Sequence, residues 1–408
     1  MGLRELLCWI KVKSFSPRIS RMNTRTPTLI LSFTLLVMML GYGMVLPIMP
    51  FYIEHFGAGG RELGWMMSMY SLMQLICAPL WGILSDRIGR KPVLAFGVLG
   101  YAISLFLFGL ATNFWMLFLA RTLSGILSSA TMPTAMAYIG DNAPEQERSE
   151  GMGQIGAATG IGIVLGPLLG GFLSTASLSL PFFIGAGLAF LAFLFVIAIL
   201  PESRLLQPTT AQRATLTLGT FRQVFLSPAG VLLLLIFVMS FGLTSFQGIT
   251  GLYVVDKFNF NTKQVGAIWM VMGGTLIVGQ GALTGPLTKR FGEAVLIRAG
   301  LVGGVLGFIA MSLAINYSTI LLALSFFSLT LALTGPALNA YISRFAGERQ
   351  GTLMGLNSAA TSLGRVIGPL WGGYLYEVNI EFPYLSGAAA LVLALLVSWL
   401  GVHEQASQ

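Results

Sequence analysis

The chain has 408 residues, of which 55% are hydrophobic and 9% charged, with a formal net charge of +8; its mean hydropathy is +0.81. Soluble domains carry roughly 25% charged residues, so a soluble globular protein is excluded. Cys8 and Cys77 cannot build a disulfide framework.

In chain order, residues 1–27 read as a basic cytoplasmic extension. Leu3, Leu6, Leu7, Trp9 and Ile10 give it a partly amphipathic character. Two readings stay open: a segment lying on the inner membrane surface, or a misassigned start with Met22 opening the protein. Twelve apolar runs follow, each near the ~20 residues that cross a bilayer: roughly 28–53, 63–84, 92–111, 115–139, 150–174, 181–200, 229–253, 264–286, 294–315, 318–341, 351–374 and 383–402. The expected organisation is an all-α membrane protein with six-helix bundles at 28–200 and 229–402, a cytoplasmic linker at 201–228 and a tail at 403–408. With the N-terminus inside, the inner segments collect seventeen Lys and Arg residues, among them Arg87, Arg90, Lys91, Arg148, Lys289, Arg290 and Arg344. The outer loops hold Arg61, Lys257 and Lys263. This bias places both termini in the cytoplasm. It accounts for the net charge without a nucleic-acid partner.

The loop from Gly82 to Pro92 reads G-I-L-S-D-R-I-G-R-K-P, and Gly285 to Glu293 repeats it in altered form as G-P-L-T-K-R-F-G-E. Asp86 becomes Lys289 and Arg90 becomes Glu293. Gly162-x-x-x-Gly166-Pro167-x-x-Gly170-Gly171 recurs as Gly364-x-x-x-Gly368-Pro369-x-x-Gly372-Gly373, and Glu147-Arg148 as Glu348-Arg349. Several matches in register at one offset indicate a duplicated bundle, the construction of many transporters. The glycine runs carry no side-chain chemistry. Small residues allow close helix approach and the prolines bend the helix, so the runs are expected at the interface on which two halves rock.

On these motifs the chain resembles the major facilitator superfamily over residues 28–402, most of all its twelve-helix drug:proton antiporters, the group of tetracycline and multidrug exporters. Gly82 to Lys91 is similar to the family's first signature and Arg121-Thr-Leu-Ser-Gly125 to its arginine signature. Gly160 to Gly171 is similar to the helix-five signature associated with exporters, and Leu200-Pro201-Glu202-Ser203 to the end of helix six. The resemblance implies a bacterial cytoplasmic membrane transporter that works as a monomer in lipid and exchanges a small-molecule substrate for protons. It implies that Asp86 meets the start of helix eleven near Gly351 when the inner gate shuts, that Arg90 pairs with Asp141, and that Arg87 and Arg121 belong to the gating and coupling set. The plainer reading is that these loop charges only anchor topology. For Arg121 it is a structural arginine satisfied by carbonyls.

One departure matters. No acid lies well inside any predicted helix, and helix seven has Phe246-Gln247 where similar exporters often carry a glutamate. This weakens lipophilic cations as substrates and leaves Asp86, Asp141 and Asp256 to carry protons. Tyr42, Tyr70, Gln74, Gln154, Phe246, Gln247, Gln280, Asn339, Asn357 and Arg365 are candidate cavity residues. Two buried arginines without a buried acid raise a rival reading, a carrier of anionic amphiphiles or metabolites. A rival of another class is a non-transporting receptor on the same fold, against which the intact gate charges speak. No nucleophile–base pair, metal cluster or phosphate loop is recognisable, so no enzyme, metal, cofactor or ATP-driven reading is supported.

Overall fold

The computed structural model describes residues 25–203, 228–346 and 350–401. The readings that concern residues 1–24, the linker between 204 and 227, Glu348-Arg349 and the tail lie outside the described residues. Twelve helical spans run through the rest, and among the described residues there is no strand. Spans 1 to 6 are Arg25–His55, Gly60–Ile88, Arg90–Gly109, Phe114–Ser128 continued by Thr131–Asn142, Glu145–Leu173 and Leu180–Ala198. Spans 7 to 12 are Pro228–Phe258, Thr262–Val278 continued to Phe291, Glu293–Ser312, Tyr317–Ala346, Gln350–Val378 and Phe382–Gly401. Large apolar side chains face outward, Leu119, Leu313, Leu322 and Leu393 among them, as lipid-facing surfaces require.

Two spans are interrupted, and proline accounts for the first. Pro133 cannot donate to the carbonyl four residues earlier, which is that of Ser129, and span 4 breaks between Ser128 and Thr131. The break turns the Ala130 amide to the Leu127 carbonyl. The carbonyl of Ile126 accepts instead from the Trp81 indole at 2.7 Å and the Ser129 hydroxyl at 2.7 Å. Irregular backbone at membrane depth survives where it is satisfied or lines a cavity, and here it does both. Span 8 carries a π turn at Gly279–Leu283, just before Pro286.

Spans 1–6 pack as one group and spans 7–12 as another, joined chiefly by span 2 against span 11 and span 5 against span 8. The two joints are copies. A Cβ on Gly171 would stand 2.4 Å from the carbonyl oxygen of Thr262, and one on Gly373 would stand 2.3 Å from that of Gly60. A Cβ on Gly266 would likewise stand 2.5 Å from the Pro167 carbonyl oxygen, and one on Gly64 2.4 Å from that of Pro369. Only hydrogen fits between these backbones.

This revises the expected role of the glycine runs. Gly162, Gly166 and Gly170 pack against Leu36, Leu40 and Met44 of span 1, inside their own half. Gly364, Gly368 and Gly372 pack likewise on span 7. Residues four apart share one helix face, and that face is committed to the neighbour within the half. Gly171 and Gly373, one position on, turn to the other half. Gly82, at the head of the repeated loop, has nothing within 4 Å of a Cβ, so no close helix packing depends on it.

Candidate functional site

The joints lie toward the end of the molecule that carries His55, Gly60 and Val378. At the opposite, basic end stand Arg87, Arg90, Lys91 and Arg148. There the same spans separate: Gly156 on span 5 and Gly355 on span 11 would meet nothing with an added Cβ. Between the halves, from mid-span toward the basic end, is a cavity of about 490 Å³. Span 1 contributes Met38 and Tyr42, span 2 Tyr70 and Gln74, the broken part of span 4 Ser129 and Met132, and span 11 Ser358 and Arg365.

The cavity explains two oddities of the sequence. Span 11 is not among the helices that qualify as membrane spans by length and hydropathy, because Asn357, Ser358, Thr361, Ser362 and Arg365 dilute its apolar run; several of them face the cavity rather than lipid. Arg121, on span 4, is 2% exposed. Its guanidinium rests on the Tyr70 ring at 4.1 Å and the Tyr42 ring at 5.6 Å, which themselves stack at 5.9 Å. A cation over aromatic faces in a desolvated setting is stabilised by about 2 kcal/mol. Its remaining contact is to the Met67 sulfur at 3.6 Å. Arginine satisfied by carbonyls is therefore not what the geometry shows.

The other candidates divide. Tyr42, Tyr70, Gln74 and Arg365 line this cavity; Gln74 Nε2 donates to the Tyr70 hydroxyl at 2.9 Å. Phe246 does not. It is fully buried in an edge-to-face cluster with Phe308, Phe327 and Tyr384, so it is packing core of the second half. Gln247 is half-buried and off the described cavity wall. Asn357 donates to Asn339 at 2.9 Å and ties span 11 to span 10. Gln154 donates to Glu150 at the surface, and Gln280 sits in the π turn.

At the basic end, Gly89 takes φ +105°, a backbone region that favours glycine, and lets span 2 turn sharply into span 3. Gly292 repeats this at +79° between spans 8 and 9. Arg90 reaches Asp141 at 2.9 Å, Asp86 at 2.5 Å and the Ser85 hydroxyl at 2.6 Å. Arg90 and Asp141 are nearly enclosed; Asp86 and Arg87 are exposed. Glu202, just past span 6, accepts from the Lys91 amide at 3.1 Å and so caps span 3.

Sequence reasoning missed three features. Glu293 is enclosed and pairs with Arg344 at 3.1 Å, although the altered second loop suggests that no comparable contact forms there. Arg61 bridges the halves to Glu377 at 2.6 Å, beside a Tyr376 hydroxyl that donates to Asp256 at 2.5 Å. Arg298, inside span 9, lies over the Trp399 ring at 4.2 Å. The first was readable, because Glu293 and Arg344 stand at the repeat offset from Arg90 and Asp141.

Twelve spans in two joined, pseudo-symmetric groups around a central cavity define a membrane transporter. Comparison with known proteins agrees. The sequence model of the Major Facilitator Superfamily matches residues 31–369 and 281–408. Multidrug resistance protein 2 of Bacillus subtilis (strain 168) is 32% identical over 380 residues, covering 91% of this chain and 94% of that protein. The quinolone resistance protein NorA of Staphylococcus aureus (strain COL) is 32% identical over 376 residues, covering 91% and 94%. Among solved structures, the nucleoside transporter NupG superposes with a TM-score of 0.81 at 15% identity, over 92% of this chain and all of that one. A bacterial homolog of the human lysosomal transporter Spinster, in an inward-facing and unoccupied conformation, gives 0.78 at 16% identity, over 94% and 97%. The chain belongs to the major facilitator superfamily, among relatives named for multidrug and quinolone resistance.

Proposed function

We propose that this chain exports small amphipathic compounds by alternating access, driven by inward proton movement. One observation carries the reading: a cavity between the halves, closed at one end by backbone contact between them and open at the other. Reading the basic end as cytoplasmic from the Lys and Arg bias, this is a cytoplasm-facing state, the one that loads an export substrate. The joints of span 2 with span 11 and span 5 with span 8 are then the surfaces on which the halves rock. Both termini lie in the cytoplasm, and the relatives named for multidrug and quinolone resistance support drug-like cargo. Asp86 and Asp141 around Arg90, with Asp256 at the far end, are the acids available to move protons. In host cells lacking their own pumps, the chain should lower accumulation of a panel of dyes, quinolones and tetracyclines, and a protonophore should abolish the effect. Efflux that continues with the gradient collapsed removes the proton step. Unchanged accumulation of every compound, with the protein present in the membrane, removes export.

A further inference from the structure

We propose that the cavity is a binding site for the anionic head of an amphipathic ligand, and that Arg365 meets it. The inference rests on the transport reading and adds the charge of the cargo. Arg365 is the one charged residue on the described cavity wall, and no acid stands beside it. It is exposed to the cavity and, among the described residues, makes no hydrogen bond or ion pair. Behind the same wall lies a second cation, Arg121, whose Nε is buried without a hydrogen-bond partner. Tyr70 stands in the field of both arginines.

Ionised groups at membrane depth ordinarily pair with an opposite charge or with carbonyls. Tyr70 and Tyr42 serve Arg121 through their ring faces. Water serves Arg365 while the cavity is open. When the halves close over a ligand that water leaves, and two like charges are enclosed without a counter-charge. A neutral or cationic ligand leaves that cost standing. A carboxylate or sulfonate cancels it and accepts a two-pronged hydrogen bond from the guanidinium. Leu35, Met38, Met39, Leu75 and Met132 supply an apolar wall for the rest of the molecule. Because Arg365 belongs to the second half and Arg121 to the first, the anion relieves a repulsion across the halves, so bound cargo itself favours closure.

The test titrates the purified full chain with dansylglycine and with its uncharged methyl ester, following dansyl fluorescence against protein-free micelles. The acid should bind at least tenfold more tightly than the ester. Arg365→Gln should erase the difference, and Arg365→Lys should keep part of it. Equal affinity for acid and ester overturns the site, as does a preference that survives in Arg365→Gln. Should that variant fail to elute as a single species, the acid-to-ester ratio of the unmodified protein decides alone. Protonophore-sensitive efflux of the acid and of the ester from preloaded cells separates the two claims. Efflux without acid preference ends the anion site and leaves export standing; acid preference without any efflux does the reverse.

Discussion

The two halves repeat one another in different ways at their two ends. At the closed end the same residues recur: a Cβ added to Gly171 or Gly373 would stand only 2.4 or 2.3 Å from a carbonyl oxygen of the facing span. At the basic end the charges are exchanged, with Arg90 on Asp141 in the first half and Glu293 on Arg344 in the second. The contrast follows from the forces involved. Where two backbones touch, only glycine leaves room, so residue identity is dictated. Where two side chains pair, either member may carry either sign, and only complementarity must persist.

The comparison predicts its own strongest break. Gly171→Val and Gly373→Val should each abolish efflux with the protein still inserted, because no rotamer relieves a clash with a carbonyl oxygen. Gly156→Val, on the same span but facing open space, should retain transport. Efflux rates of the three variants, normalised to membrane content, check this, and an active Gly373→Val would end the account of the joint. Next in size is Asp141→Arg, which faces an enclosed Arg90 with a like charge. Breaking a buried pair costs about 3–5 kcal/mol, to be read as a loss of thermal stability in detergent. Arg90→Glu with Asp141→Arg copies the arrangement of the second half and should recover much of it; no recovery would show that the Asp86 and Ser85 contacts matter more than charge pairing. Arg344→Ala should cost less than Arg90→Ala, since Arg344 is 72% exposed and water reaches one side of its pair. The smallest effect belongs to Arg61→Ala. An exposed ion pair contributes about 0.2–1 kcal/mol, so stability should scarcely change even though this pair spans the halves.

Much of the architecture was legible beforehand. The twelve apolar runs and the duplication are local statements, and the structure repeats them within a few residues. The site was legible only in part. Tyr42, Tyr70, Gln74 and Arg365 could be named as polar or aromatic residues inside apolar runs, and they meet at one cavity. Phe246 satisfied the same criterion and belongs to the core, because hydropathy cannot say which face of a fully apolar helix looks inward. The glycine runs looked like a single interface; four-residue spacing sends one face to the partner within the half and leaves the next residue for the partner across it.

By itself the sequence determined that this is a twelve-span duplicated transporter with a basic side, because a bilayer rewards apolar length and helical backbone residue by residue. Tertiary structure alone decided which end is shut, which side chains pair across distant spans and which arginine is left facing a cavity without an acid. Those outcomes depend on how two bundles dock, and docking brings together residues that no local pattern relates.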